Sequence, residues 1–253
     1  MLKKVYLSVT SHNDDEIIIK NYSSIPKIIG NYKIIVAIID NTCSTYLKNK
    51  SNELGFKYYC DNISRGYGAN NNKNFSVLKV KKDDIFVVCN PDISIIIKDF
   101  EGLLNSVVLS NADIYGVKVF ESYDFKKWSS HNRSFPALFD PIISLVFKKK
   151  LFENDVDAFA YPDWIGGAFM IFKAESYSSL KGFDETFFMY YEDTDLCRRA
   201  KLLGMTIIYD PNFFIIHEAR RAGRRLFSKS FFFNFKSMLT YFKRYPTLKL
   251  ISL

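Results

Sequence analysis

Residues 32–39, Tyr-Lys-Ile-Ile-Val-Ala-Ile-Ile, are almost continuously apolar and stop abruptly at Asp40-Asn41-Thr42-Cys43-Ser44. A strand with one wet face alternates apolar and polar residues. A run like this one needs cover on both faces, as strands of a parallel sheet flanked by helices have. Residues 4–10, 56–60, 84–89 and 114–120 read as further strands. Helices fill the intervals: one up to about Ile25, one from Ala69 to about Leu78, one from about Lys98 to Ser110. Strands alternating with helices give an α/β fold with a mostly parallel sheet. Such sheets bind ligands at the carboxyl ends of their strands. The polar clusters at Asp40, Asp61–Gly68 and Asn90–Asp92 each follow a strand and are expected to converge on one edge. Residues 121–163 carry a weaker pattern, polar loop with an apolar helix candidate at 136–149.

The formal charge of +8 is unevenly placed. From His217 onward there are nine Lys/Arg and one acid, Glu218, which accounts for the whole excess. Residues 1–216 therefore read as a charge-balanced body and 217–253 as a basic, aromatic, helical tail. No apolar run approaches the eighteen residues of a membrane-spanning helix, and the first ten residues read as a strand, not a signal peptide. Cys43, Cys60, Cys89 and Cys197 are widely spaced with no C-x-x-C pair, which suggests reduced thiols in a cytosolic protein.

Some chemistries drop out. Gly66-Tyr67-Gly68-Ala69-Asn70-Asn71 lacks the third glycine of a dinucleotide fingerprint, and there is no P-loop. His217-Glu218-Ala219-Arg220-Arg221 lacks the second His of a zinc-protease helix, and three histidines cannot build a histidine-rich metal site.

Other stretches invite chemistry. Glu192, Asp193 and Asp195 fall just after the aromatic run Phe187–Tyr191 and just before a helical pattern, at a helix N-terminus that favours negative charge. Asp195 reads as structural, paired with Arg199 one turn on. In Asn90-Pro91-Asp92 the proline fixes its own φ and extends Asn90, holding both flanking side chains at a strand tip. Gly166-Gly167 opens an apolar strand, as where a ligand or another backbone approaches closely. Trp164 and Tyr191 suit either an acceptor platform or the core.

Together these pieces form a resemblance. Asp40-Asn41, Asn90-Pro91-Asp92, Asp163-Trp164-Ile165-Gly166-Gly167-Ala168, Gly182-Phe183-Asp184-Glu185, the run from Phe188 to Arg199, and His217 occur in this order. The arrangement resembles the rhamnosyltransferase-like branch of glycosyltransferase family 2, of GT-A (Rossmann-like nucleotide-diphospho-sugar transferase) fold, over roughly residues 4–245.

The resemblance implies inverting transfer of a sugar, L-rhamnose from dTDP-rhamnose, onto a lipid-diphosphate-linked saccharide in O-antigen or polysaccharide synthesis. It implies Asp193 as general base with Glu192 beside it. Asp40, Arg65, Asn90, Asp92, Gly166 and Gly167 would bind the donor, and Trp164 and Tyr191 the acceptor. Asp92 and His217 would ligate Mg²⁺ or Mn²⁺. The family's first Asp of its D-x-D motif is Asn90 here, so the donor diphosphate is expected to supply much of the coordination.

In the tail, Arg220, Arg221, Arg224 and Arg225 would meet phosphates or an anionic inner-membrane surface, placing the enzyme peripherally on its cytoplasmic face. Cations interleaved with aromatics also suit single-stranded nucleic acid, but a lipid-linked acceptor favours membrane and no nucleic acid is expected. Packing of the tail on the body or on a second subunit is the remaining alternative. The rivals for function are another sugar, galactofuranose or a hexose from a UDP donor, and a non-catalytic basic module.

Overall fold

The computed structural model describes residues 2–129, 131–138, 140, 154, 157–218 and 229–246. Its strands are β1 (Lys3–Ser11), β2 (Ile28–Ile29), β3 (Tyr32–Asp40), β4 (Lys57–Tyr59), β5 (Ile85–Cys89), β6 (Ile93–Ile95), β7 (Ile114–Phe120), β8 (Trp128–Ser129), β9 (Phe169–Lys173) and β10 (Ile207–His217). Its helices are α1 (Asp15–Tyr22), α2 (Thr45–Leu54), α3 (Tyr67–Val77), α4 (Ile97–Leu109), α5 (Ala174–Ser179), α6 (Glu192–Leu202) and α7 (Lys229–Arg244).

One sheet runs β2-β3-β1-β5-β9-β7-β10-β6, with β4 also on β3 and β8 on β7. The strands expected from apolar runs form its parallel core: β1 pairs in parallel with β3 and β5, and β3 with β4. The remainder is mixed. β9 runs antiparallel between β5 and β7, a crossing that its length of apolar sequence does not announce. The apolar segment after Gly166-Gly167 becomes a strand only at Phe169.

Period-2 alternation sorts the core onto two faces. Val5, Leu7 and Val9 of β1 join α1 and α4 through Ile18, Tyr22, Phe100 and Leu104. Tyr6 of β1 points the other way, with Phe86 and Val88 of β5, towards Tyr177 of α5 and Leu196 and Ala200 of α6. A smaller third cluster ties Phe187 to Tyr241 and Phe242 of α7. The basic tail thus carries a helix that packs on the body. No helix among the described residues is long and apolar enough to cross a membrane. Of the helix expected at 136–149, residues 139 and 141–149 lie outside the described residues, as do the tail arginines 220, 221, 224 and 225; 136–138 are not helical.

Three registers converge on one edge. Ser11 lies level with Asp40, Val9 with Cys89, and Cys89 with Phe169 of the antiparallel β9. The carboxyl ends of β1, β3 and β5 therefore meet the amino end of β9, and Asn90 N–H donates to the Ala168 carbonyl at 2.9 Å. β10 pairs with β7 on both sides of a register shift between Asp210 and Phe214, and beyond the shift its other edge pairs with β6. His217 is carried to the level of Ile93, just past Asn90-Pro91-Asp92.

The expectation of four reduced thiols is corrected. Cys43 and Cys60 form a disulfide, with Cα atoms 5.5 Å apart, because β3 and β4 are neighbours and both loops turn at the same edge. Sequence spacing could not foresee this, since the pairing depends on which strands become adjacent. Cys89 and Cys197 are free and buried. Alkylation of denatured protein purified without reductant should therefore label two thiols, and four after reduction. Four labelled thiols before reduction would contradict the pairing.

Candidate active site

The edge where these strand ends meet opens into a cavity of about 750 Å³, within the range of small-molecule sites. Thr10, His12, Asn41, Asn90, Pro91 and Asp92 form its strand-tip wall. The start of α3 supplies Gly66, Tyr67 and Asn70. Opposite stand Gly167, Ala168, the aromatic turn Phe188–Tyr190, Glu192 and Asp193. Phe233 of α7 completes this side. Asp92 and Asp193, far apart in sequence, thus line one cavity.

At the strand tips, His217 Nε2 lies 3.1 Å from Asp92 Oδ1 and 3.4 Å from Asn90 Nδ2. Carboxylate oxygen, imidazole nitrogen and a nearby amide suit a divalent cation whose remaining ligands come from a bound oxyanion or water. Among the described residues there is no group of three or more His, Cys, Asp or Glu able to hold a metal by itself. The set fits a metal shared with a ligand.

The acid pair begins α6. Asp193 is pinned: its Oδ2 accepts from Gly167 N–H at 2.7 Å and its Oδ1 from Thr194 N–H at 2.7 Å. A Cβ on Gly167 would lie 3.1 Å from Asp193 Cβ, so a side chain there would crowd the contact. Glu192 differs. It is buried, lines the cavity, and its Oε2 has no hydrogen-bond partner. Burial, then the Asp193 charge, pushes its carboxyl up to about 8. Burial also raises Asp193, while the Gly167 and Thr194 hydrogen bonds and the Arg133 charge pull it back. Burial and the neighbouring charge thus favour the protonated form of Glu192.

The expected donor and acceptor residues divide between the wall and what stands behind it. Asn90, Asp92, Gly167 and Arg65 line the cavity. Arg65 is also held by Asp61 through two bonds of 2.7 and 2.5 Å. Asp40 stands behind: it is 2% exposed. Its carboxylate accepts from Thr42 N–H and Oγ1, Ser44 N–H and the Tyr58 hydroxyl. Burial alone would raise it, but these bonds hold it below the ordinary carboxylate range. Gly166 packs against the buried His131 ring. Trp164 donates from its indole to the Ser134 carbonyl and is covered by the Arg133 guanidinium at 4.8 Å. Tyr191 stacks on Tyr241, with centroids 5.4 Å apart. Neither of these last two lines the cavity: Trp164 is buried in the core and Tyr191 is half-buried against α7.

Sequence reading missed Thr10, His12, Tyr67 and Asn70. Tyr67 donates its hydroxyl to the Gly167 carbonyl at 2.8 Å, tying α3 to the glycine pair. Asn70 is fully buried, donates to the Arg65 carbonyl, and leaves Oδ1 unpartnered at the cavity, as Thr10 does its Oγ1. A signal existed: Asn70, Asn71, Asn72 and Asn74 crowd one helix, where asparagine is a poor helix former. Asn71 and Asn74 bond Ser8, and Asn72 bonds Phe183 and Tyr177. Gly66 has a packing reason, since a Cβ there would collide with the Phe188 carbonyl.

The chain is similar to known transferases. A family described as the N-terminal domain of galactosyltransferase matches residues 154–220. Rhamnosyltransferase WbbL of Escherichia coli (strain K12) is 32% identical over 250 residues, 95% of this chain and 93% of the relative. An N-acetylglucosaminyl-diphospho-decaprenol L-rhamnosyltransferase of Mycobacterium tuberculosis is 34% identical over 62 residues, 24% of this chain and 20% of the relative. Among solved structures, GalNAc-T7 with UDP, GalNAc and Mn²⁺ superposes with a TM-score of 0.67 at 11% identity, covering 96% of this chain and 48% of that one. The fold is thus the GT-A fold, although this chain spans about half the length of that structure.

Glu192 sets a pH dependence. Its folded pKa lies above its ordinary value, so the folded state holds a proton that the unfolded chain has lost between about pH 4.5 and about 8. Stability is greatest below that window and falls as pH rises through it. In metal-free denaturant titrations, Glu192→Gln should gain about 1–3 kcal/mol on the parent between pH 5 and pH 8. Parallel stabilities across that range would remove the buried, protonated carboxyl from the account.

Proposed function

Because the chain belongs to the rhamnosyltransferase-like branch of glycosyltransferase family 2, we propose that it is an inverting enzyme moving L-rhamnose from dTDP-rhamnose onto a lipid-diphosphate-linked saccharide. That it is a glycosyltransferase follows from the family. Donor, acceptor and stereochemistry are the proposal, and one observation carries it: a single cavity lined by Asp92, with His217 3.1 Å from its carboxylate, and by the Glu192–Asp193 pair.

The donor nucleotide lies along the strand-tip wall. Asp40 serves it indirectly by fixing the loop that presents Asn41, whose own amide is held between the Arg65 N–H and carbonyl. The diphosphate meets the start of α3, where the helix dipole favours an anion, with Arg65 and Asn90 alongside. A divalent Mg²⁺ or Mn²⁺ ion, held by Asp92 and His217 with the donor phosphates, supplies positive charge to the leaving diphosphate.

The acceptor sugar enters beside Phe188 and Phe233. Asp193 takes the proton of the acceptor hydroxyl as its oxygen attacks the anomeric carbon, and the bond to the diphosphate breaks on the opposite face. Glu192, protonated, lends a hydrogen bond without adding a second negative charge beside the base. The hydrogen bonds to Gly167 and Thr194 keep Asp193 aimed while leaving lone pairs for the substrate.

The outer face of α7 exposes Phe232, Phe235 and Leu239 at 59, 48 and 54%, a single stripe at helical spacing flanked by Lys236 and Lys243. We place that stripe on the cytoplasmic face of the inner membrane, where a lipid-linked acceptor would reside. Basic residues beside an apolar stripe are the pattern of an interfacial helix.

Purified protein with Mn²⁺ should release dTDP from dTDP-rhamnose when given a lipid-diphosphate saccharide. Turnover only with a UDP-sugar would transfer the assignment to galactofuranose or a hexose. Asp193→Asn should lower turnover at least about 100-fold, as loss of a general base does, with donor affinity intact by calorimetry. Asp92→Ala should instead lose metal-dependent donor binding, and near-normal turnover in Asp193→Asn would dismiss it as the base. The triple change Phe232→Ser, Phe235→Ser, Leu239→Ser should reduce cosedimentation with anionic vesicles about tenfold. Unaltered cosedimentation would clear this face of a membrane role.

A further inference from the structure

Two consecutive residues before the acid pair, Tyr190 at φ 69° and Tyr191 at φ 64°, adopt the left-handed conformation. Each such residue with a side chain costs on the order of 1–3 kcal/mol and persists only where its surroundings enforce it. Tyr191 occupies the N-cap position of α6 without a side-chain cap bond, so the turn lacks the usual local fastening. Its direction decides where Glu192 and Asp193 point, because α6 starts immediately after it.

The enforcement comes in large part from the C-terminal helix. Ser237 Oγ donates to the Met189 carbonyl at 2.9 Å. Tyr241 and Phe242 both pack against the Tyr191 ring, with centroids at 5.4 and 6.3 Å. Phe233 lies against Phe188 at 4.8 Å, tilted 32°. Arg244 bridges two carboxylates, Asp184 at 2.7 Å and Asp195 at 2.6 Å, and Tyr245 adds a hydroxyl to Asp195 at 3.1 Å. Asp195 is fully buried and also holds Arg199 at 2.8 Å. These contacts grip the segment on both sides of the left-handed pair, at Asp184–Met189 before it and at Asp195 after it. A helix needed only to cover apolar surface would have no reason to fasten a backbone carbonyl and two carboxylates flanking one turn.

We propose that α7 is the positioning element of the acid pair: Ser237, Tyr241 and Arg244 hold the Tyr190–Tyr191 turn in the conformation that presents Glu192 and Asp193 to the cavity. The proposal rests on reading that pair as the acid–base machinery of glycosyl transfer. Arg244 is a positioning residue, acting on the reaction through Asp195 and the first turn of α6. Both carboxylates meet the one nitrogen Nη1, and lysine in its place keeps the charge on a more flexible stem without the rigid guanidinium geometry.

The test uses the full chain and three variants, Arg244→Met, Arg244→Lys and Ser237→Ala. It reads kcat with dTDP-rhamnose, Mn²⁺ and a lipid-diphosphate saccharide, donor Kd by calorimetry, and hydrogen exchange of peptides covering 187–195. Arg244→Met should lower kcat at least about tenfold, leave donor Kd within about twofold, and speed exchange at 188–194 at least about tenfold. Arg244→Lys should recover part of both losses, and Ser237→Ala should show smaller losses of the same kind. Faster exchange in α7 with unchanged exchange at 188–194 would overturn the proposal, whatever the activity. So would a fall in kcat that only matches the unfolded fraction. If the parent protein turns over no nucleotide sugar, the functional reading fails, and the exchange data still decide whether α7 holds the turn. Should Arg244→Met not fold, the other two variants carry the same comparison.

Discussion

The hydrogen bond from Gly167 N–H to Asp193 Oδ2, 2.7 Å long, joins the two halves of the molecule at the point where chemistry is expected. Gly167 lies two residues before the antiparallel strand that sits between the parallel core and the β7–β10 pair. Asp193 is in the first turn of the helix that packs below it. The bond therefore transmits the position of the sheet to the proposed base, and through Asn90 and Ala168 the same segment is tied to the Asn90–Asp92 tip. A small residue is needed at 167 because the backbones must approach closely enough for a carboxylate on one to reach an amide on the other.

The charge logic of the site follows from its shape. The strand-tip side gathers groups that welcome cations and phosphates: Asp92, His217 and the open N-terminus of α3. The opposite side keeps two carboxyls in a nearly dry wall, and there electrostatics forbids both from being ionised cheaply. Asp193 accepts from two backbone N–H groups, Gly167 and Thr194, whereas Glu192 Oε2 has no partner. The asymmetry favours the proton on Glu192. The GT-A fold supplies the edge on which this can be built, while the specific arrangement belongs to these side chains.

The parallel core was legible because β3 is a long, nearly continuous apolar run that needs cover on both faces, with the shorter β1 and β5 patterns alternating with helices around it. The acid-rich helix start, the Asn90-Pro91-Asp92 tip and His217 were legible because each combines a chemical group with a local conformational constraint. What sequence could not give was adjacency. β9 enters the sheet against the parallel grain, Cys43 finds Cys60 only because β4 lies beside β3, and β6 is three residues long. Orientation was equally opaque. Asp40 has the right position for a ligand contact, yet Thr42, Ser44 and Tyr58 turn its carboxylate inward, a choice made by neighbours too close in sequence to reveal direction. The asparagines of α3 carried a readable oddity, but their partners at Ser8, Tyr177 and Phe183 come from three other elements.

The C-terminal helix has two faces of different kinds, one seated on the acid-bearing turn and one bare and apolar. Any surface that engages only the docked helix favours that form by RT ln(1 + [L]/Kd). A bilayer gripping the bare face would thus tighten the turn beneath it without touching a substrate. Catalytic competence and residence at the lipid would rise together by mass action, so that an enzyme adrift in solution idles and one resting beside its acceptor is primed.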